Sequence, residues 1–320
     1  MHFAQALIAA FAGLAIAHPT GLEKRQSLPP VLSANDETVL QLALYLEHLE
    51  FNLYSGGINN FNEQQYEAEG FPPGFRDNVA LIAQHEGTHI QTITAILEKA
   101  GKTPVPSCTY TFPYDSPTSF VDLANMVTST GIGAFLGAGE LLQDNDALLT
   151  AATSILTVES RHDAFLRAGV KGSPFPTAFD TALTAVFAYN IAQMFIVECP
   201  QQLSFPILPK LTLESPAPEP DLMPPVAAGT TLKFSFDPSK FFVAVDPNAP
   251  LYIGIINSIT NVTYEKVTSC GTGCATVPVP KGAAGVAFAI LTTFDDKAAL
   301  TEDQLAQFGA LAGPAEIVLS

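Results

Sequence analysis

Two short motifs pair a glutamate with a histidine three residues later, about one helical turn along the chain. The first is Glu86-Gly87-Thr88-His89 and the second is Glu159-Ser160-Arg161-His162. In a helix this spacing puts the carboxylate and the imidazole on the same face. One such motif arises easily by chance. Two of them, each on the apolar stripe of a predicted helix, indicate a metal site inside a helix bundle.

A third carboxylate belongs to an earlier helix. Glu47 lies at the centre of that helix's apolar stripe, as Glu86 and Glu159 do on theirs. Tyr54 follows two turns later on the same face, where its hydroxyl group can hydrogen-bond a ligand carboxylate or its ring can simply fill the core. The predicted metal ligands are Glu47, Glu86, His89, Glu159 and His162.

The third predicted helix lacks the carboxylate that a complete site would use. Its stripe, Val121 to Phe135, parallels the stripe from Leu40 to Tyr54, and Thr128 stands where Glu47 stands. Glu140 is too near the following turn to reach the level of Glu159, and we predict that it lies on the surface. Glu50, one turn beyond Glu47, is a minor candidate. The two neighbouring histidines, His48 and His85, are predicted to point elsewhere.

Burying these ionisable side chains carries an energetic cost that something must offset. An isolated ionised carboxylate inside a protein costs several kcal/mol, which is a large share of the roughly 5–15 kcal/mol stability of a domain. A divalent cation removes this cost by turning the same groups into ligands. Shared protons and Glu–His pairs in a metal-free core network would also remove it. The sequence leaves both alternatives open.

The surrounding sequence predicts five helices from about Asn35 to Cys199. The first ends at Gly56-Gly57 and is followed by a polar stretch, and a Pro-rich crossing separates the second helix from the third. Short turns within each pair and a long crossing between the pairs are typical of a ferritin-like four-helix bundle, here with a fifth helix. The predicted helices cover residues 35–56, 74–101, 119–142, 146–168 and 179–197.

The domain boundaries follow from composition and hydrophobic period. We assign residues 26–205 to the bundle, 206–228 to a Pro-rich linker and 229–320 to a small β-sandwich, because beyond the linker the apolar period changes to two. No catalytic group is evident in the β-domain, which could serve adhesion, packing or plain support. The predicted strands are 231–236, 241–245, 251–256, 262–267 and 285–293.

The N-terminus predicts secretion. Residues 1–17 are predicted to be a signal peptide, because an apolar run from Ala4 to Ala17 ends in a small-residue cleavage site and is too short for a membrane anchor. Residues 18–25 end in Lys24-Arg25, which is either a processing site that closes a propeptide or an exposed charged pair. Asn261 begins a glycosylation sequon. The formal net charge of −17 argues against nucleic acid as a partner.

The four cysteines fit an oxidising compartment and allow three pairings. We favour Cys108–Cys199, because the second and fifth helices should end at the same pole of the bundle. We also favour Cys270–Cys274, because the Gly-Thr-Gly segment between them can close a tight loop.

Residues 35–199 resemble the ferritin-like domain of secreted fungal proteins linked to stress response and late sexual development, with plant desiccation-related proteins as relatives. The resemblance implies a secreted ferritin-like bundle with a dinuclear metal centre and no settled biochemical activity. Members often carry glutamate at the position of Thr128, so it also implies a degenerate site here. The segments that carry the resemblance are 46–54, 85–89, 108–113, 131–138, 158–162 and Cys199.

Two functional hypotheses follow. The chain is either a metal-carboxylate protein with Fe or Mn, or a non-enzymatic wall or surface protein in which the former ligands form a polar core network. Enzymatic activity stays open; an active site of this kind would act as a metal-dependent oxidoreductase, like a ferroxidase or a catalase. Metal ions and an extracellular or cell-wall component are the partners to consider, and no membrane span is predicted.

Overall fold

The structure is a computed structural model that describes residues 32–139, 141–142, 144–216, 226–259, 262–298 and 300–319. The predicted signal sequence and propeptide, Glu140 and Asn261 lie outside these ranges. None of the helices within them combines the length and apolar character needed to cross a bilayer.

Within the described residues, six helices precede the β-domain. Side-chain caps set several of their starts: Ser33 begins α1 and Ser116 begins α4 in capping boxes, and Asn145 caps α5. Each cap satisfies an amide that the first helical turn leaves unpaired. The helices are α1 Ala34–Asn60, α2 Glu63–Ala68, α3 Phe75–Lys99, α4 Pro117–Ala138, α5 Asp146–Gly169 and α6 Ala185–Gln193.

The four long helices form the predicted bundle. Helix α1 packs against α3, α4 packs against α5, and α1 also contacts α4. Helix α6 packs on α1 and α4. Two short antiparallel strands, β1 (Thr109–Tyr110) and β2 (Ile196–Glu198), join the chain after α3 to the chain after α6. The Cys108–Cys199 disulfide lies beside this pair.

Several helix boundaries differ from the sequence prediction, and α4 ends at Ala138 rather than at residue 142. Helix α1 does not end at Gly56-Gly57 but continues to Asn60. The glycine at position 57 serves close packing rather than a helix end, because a Cβ there would overlap the ring of Phe120. Helix α6 is shorter than predicted. Residues 179–184 are not helical, and a Cβ on Gly137 of α4 would overlap the Leu183 carbonyl group.

The close approach at Gly57 gives a stability prediction. We expect Gly57→Ala to destabilise the protein by about 1–3 kcal/mol, because the buried Phe120 ring must move to admit the methyl group. Gly87→Ala is the matched control: its Cβ would meet the Phe51 ring at an ordinary 3.4 Å, so the better helix propensity should stabilise by about 0.5–1 kcal/mol. Urea unfolding of both variants measures this, and a neutral Gly57→Ala would contradict the packing.

The C-terminal domain consists of two four-stranded sheets. The sheets have the strand orders β10-β9-β5-β6 and β3-β4-β8-β7, and every pairing within them is antiparallel. Side chains of both sheets, such as Phe234 and Leu291, share one buried core, which confirms the predicted β-domain. The strands are β3 Leu211–Ser215, β4 Thr231–Phe236, β5 Tyr252–Asn257, β6 Thr263–Lys266, β7 Thr268–Gly271, β8 Cys274–Pro278, β9 Gly285–Thr292 and β10 Ala310–Leu319.

The strand predictions need several corrections. Residues 241–245 form no strand; prolines at 238 and 247 flank them, and Phe242 and Val243 are exposed. Strand β3 lies inside the segment predicted as a linker, and the prediction also missed β7, β8 and β10. The Cys270–Cys274 disulfide is present and joins β7 to β8.

The β-domain packs on the bundle. Thr130 of α4 donates a hydrogen bond to Glu316 of β10 at 3.2 Å, and Thr181 donates one to the Val286 carbonyl group at 2.6 Å. The sequence left adhesion, packing and plain support open as roles for this domain. These contacts show that it packs onto the helices.

Glu302 caps α6 across this interface and makes stability depend on pH. Its Oε1 accepts a hydrogen bond from the Thr184 amide at 2.5 Å, while burial raises the pKa of Glu302 from 4.5 to about 7. Between these values the folded chain holds a proton that the unfolded chain has lost. Stability should therefore fall by about 1–3 kcal/mol as pH rises from 4.5 to about 7 and then level off.

The control for this prediction is Glu302→Gln, which has no proton to lose. Urea unfolding between pH 4.5 and 8 should give a smaller decrease for the variant than for the wild type. Parallel pH profiles for the two proteins would exclude Glu302 as the cause.

Candidate metal centre

Three helices bring the five predicted ligands to one place in the bundle core. All five side chains are buried: Glu86 is 0% exposed, Glu159 1%, Glu47 2%, His162 5% and His89 9%. Ligand atoms of four of them, Glu47, Glu86, His89 and Glu159, lie within 4.8 Å of one another. Helix α1 supplies Glu47, α3 supplies Glu86 and His89, and α5 supplies Glu159 and His162.

Glu86 and Glu159 each direct one oxygen to each histidine. The Nδ1 atom of His89 is 3.1 Å from Glu86 Oε2 and 3.3 Å from Glu159 Oε1. The Nδ1 atom of His162 is 3.2 Å from Glu86 Oε1 and 3.3 Å from Glu159 Oε2. Glu47 lies on the His89 side only, with 3.1 Å between its Oε2 and His89 Nδ1. The arrangement has two sides that share two bridging carboxylates.

Three carboxylate oxygens in this group are buried without a hydrogen-bond partner, one each from Glu47, Glu86 and Glu159, in every case Oε1. Two of these atoms lie near a histidine nitrogen but without the angles of a hydrogen bond. Unpaired buried oxygens are uncommon because each loses its interaction with water. A cation between the helices would supply the missing partner, so the residues fit a metal.

Burial and the neighbouring ligands shift the pKa values of these groups. Burial raises the pKa of Glu47 well above its usual value, and the Glu86 and Glu159 charges add to this. Burial also raises the pKa of Glu159. Burial alone would raise the pKa of Glu86, but hydrogen bonds from His162 and His89 lower it to about 2. Burial alone would lower the pKa of His162, but hydrogen bonds to Glu159 and Glu86 raise it to about 9. Cation binding would displace these protons.

His85 contacts the site, which corrects the prediction that it points elsewhere. Its Nδ1 lies 3.0 Å from Nε2 of His162, and the two rings stack. Burial and the neighbouring His162 lower the pKa of His85, so its neutral ring can accept the Nε2 proton. A partner at Nε2 fixes the tautomer that leaves Nδ1 free to bind a metal.

Thr128 and Tyr54 are paired with each other. Their side-chain oxygens are 2.5 Å apart and both residues are fully buried. The Tyr54 hydroxyl group therefore contacts Thr128, at the position where the repeat predicts a carboxylate, rather than one of the five ligands. Glu50, the minor candidate, is 3% exposed. His48 has no contact with the ligand group among the interactions of the described residues.

A buried network holds α5 against α4 next to His162. Asp163 accepts hydrogen bonds from Asn125 at 2.6 Å and Ser129 at 2.8 Å, and it forms an ion pair with Arg167 at 2.7 Å. Because Asp163 follows His162 directly, these contacts fix the rotation of α5 that turns Glu159 and His162 inward.

Residues 35–171 match the family model described as "Ferritin-like domain". The match takes in the four bundle helices and all five predicted ligands. Protein rds1 of Schizosaccharomyces pombe is 29% identical over 204 residues, which cover 61% of this chain and 49% of the relative. The chain thus spans about half the length of that curated relative. A structure titled as ferritin like, diiron-carboxylate proteins from Bacillus anthracis str. Ames is 13% identical and covers 43% of this chain and 98% of its own, with a TM-score of 0.38.

Proposed function

We propose that the ferritin-like domain binds a pair of Fe or Mn ions and uses them in oxidation chemistry outside the cell. The observation that carries this proposal is the set of three unpaired, buried carboxylate oxygens beside the inward Nδ1 atoms of His89 and His162. Carboxylate and imidazole ligands suit both metals. The buried Glu/His group thus supports a metal-binding role, and the identity of the metal is part of the proposal.

The residues would divide the work between two positions. Glu86 and Glu159 would bridge, Glu47 and His89 would complete one position, and His162 belongs to the other. A pair of Fe or Mn ions supplies one-electron steps toward oxygen or peroxide, as in ferroxidase- or catalase-like reactions. The chain's own contribution is to hold the ligands rigidly and to keep bulk water away from them.

The setting of this activity is also a proposal. The apolar run at residues 1–17, the pair Lys24-Arg25 and the sequon at Asn261 favour a secreted glycoprotein. The two disulfides are compatible with an oxidising compartment. The sequence resemblance favours a role in stress response or development, in the cell wall or the extracellular space.

A second candidate is a non-enzymatic wall or surface protein. It is favoured by the ion pairs of His89 and His162 with the glutamates, because protonated histidines can balance part of the buried charge without a metal. In that case the glutamates and histidines form a polar core network.

Elemental analysis of untagged protein secreted by its host separates the two candidates. We expect about two Fe or Mn ions per chain, as two bridged positions require. Reloading of EDTA-treated protein with Fe²⁺ or Mn²⁺ should restore them and raise the melting temperature. Protein that folds fully and binds neither metal would leave the wall or surface protein as the better function.

A further inference from the structure

Glu50 is a buried carboxylate that the five-residue ligand set does not use. It is 3% exposed, and its carboxylate lies against Gly131 of α4. Burial raises the pKa of Glu50 well above its usual value, and the Glu159, Glu86 and Glu47 charges raise it further. A buried carboxyl group this close to other carboxylates is costly unless it is protonated or bound to a cation.

Helix α4 leaves space for this side chain. A Cβ on Gly131 would overlap Oε1 of Glu50, so the carboxylate occupies the volume that a side chain at position 131 would fill. In the repeat that relates α1 to α4, Thr128 corresponds to Glu47 and Gly131 corresponds to Glu50. Helix α4 thus has neither carboxylate of α1, and the vacated volume is filled from α1.

The two sides of the metal centre differ in their ligands. The His89 side has Glu47 as a terminal carboxylate in addition to the two bridging ones. The His162 side has only the bridging pair, Glu86 and Glu159. Glu50 lies against Gly131, one turn along α4 from Thr128, where the repeat predicts the missing carboxylate.

We propose that Glu50 is the terminal carboxylate of the metal position on the His162 side, reaching from α1 to replace the ligand that α4 lacks at Thr128. The proposal rests on the metal-binding function proposed above. It also balances charge: four carboxylates neutralise two divalent cations, whereas three would leave a buried positive charge.

The test is a Mn²⁺ titration of the EDTA-treated full chain, followed by metal analysis and EPR spectroscopy. The wild type should take up about two ions per chain, and Glu50→Gln should take up about one, with loss of the exchange-coupled Mn²⁺ signal. The glutamine amide has the shape of the protonated acid, so the metal-free fold should persist. Glu98→Gln, exposed on α3, is the matched control and should bind as the wild type does.

Gly131→Ala tests the same proposal without changing any ligand. Its methyl group would displace the Glu50 carboxylate, so we expect this variant also to keep only about one ion per chain. If circular dichroism shows that Glu50→Gln does not fold, the metal content of Gly131→Ala tests the proposal instead.

Each outcome has a distinct meaning. Two ions in Glu50→Gln and in Gly131→Ala would overturn the role of Glu50 and leave the metal-binding function intact. One ion in both the wild type and Glu50→Gln would also overturn it, and the centre would then hold a single metal. A wild type that binds no Mn²⁺ and no Fe²⁺ would overturn the proposed function itself.

Discussion

Glu86→Gln is expected to abolish binding at both metal positions. Glu86 is fully buried, and its two oxygens face different histidines, Oε2 at 3.1 Å from His89 and Oε1 at 3.2 Å from His162. An amide has one weaker acceptor oxygen and cannot bridge two cations. Metal analysis after Mn²⁺ loading should find less than about half an ion per chain, against about two for the wild type.

The same substitution should remove the stabilisation that the metal provides. A ligand present at about a thousand times its dissociation constant stabilises the folded state by about 4 kcal/mol. We therefore expect Mn²⁺ to raise the melting temperature of the wild type and to have no effect on Glu86→Gln. Melting with and without EDTA measures both proteins directly.

Glu47→Gln is the matched comparison for this prediction. Glu47 faces only His89, so its replacement should remove one ion and keep the other. Equal losses in Glu47→Gln and Glu86→Gln would contradict the division into terminal and bridging ligands. Retention of both ions by Glu86→Gln would exclude the bridge altogether.

Much of this site could be predicted from the sequence because its ligands follow helical spacing. Glu47, Glu86 and Glu159 interrupt apolar stripes, and a charge in such a position must face the core. Each histidine follows its glutamate by one turn, which fixes its direction as well. In the structure all five residues come together, as the helical periodicity predicts.

The contacts of His85 and Glu50 depend on neighbouring helices, and for that reason the sequence did not reveal them. His85 reaches His162 on α5, a contact set by how α3 and α5 pack. Glu50 is accommodated by a missing side chain on α4, at Gly131. In the repeat that relates α1 to α4, Gly131 corresponds to Glu50. This glycine is the sequence signal that could have revealed the contact of Glu50 with α4.

The fold was predicted least well where packing overrides local pattern. Gly56-Gly57 has the composition of a helix end, yet the glycines admit the side chains of Tyr114 and Phe120 within a continuing helix. Strand β10 contains Gly313-Pro314, which weakens any strand pattern, and it is tolerated because β10 lies at the end of its sheet. Residues 241–245 alternate like a strand but have no partner strand among the described residues.

Loss of the Cys108–Cys199 disulfide is expected to cost about 4–5 kcal/mol, because the bridge closes a long loop. The two cysteines are 91 residues apart, and the loop between them contains α4, α5 and the second half of the ligand set. Without the bridge the unfolded chain gains the freedom to separate these ends, so the folded bundle loses stability relative to it. The measurement is urea unfolding of the Cys108→Ser/Cys199→Ser double variant.

The second disulfide provides an internal control for that argument. Cys270 and Cys274 are only 4 residues apart, so the same model gives a cost of about 2 kcal/mol for the corresponding double serine variant. Loss of the Cys108–Cys199 disulfide should therefore lower the free energy of unfolding by roughly twice as much as loss of the Cys270–Cys274 disulfide. Equal costs would show that local packing, such as the contact of Tyr45 with the Cys199 sulfur, outweighs loop length. The longer loop carries Glu159 and His162. Loss of the Cys108–Cys199 disulfide should therefore also weaken Mn²⁺ binding, whereas loss of the Cys270–Cys274 disulfide should not.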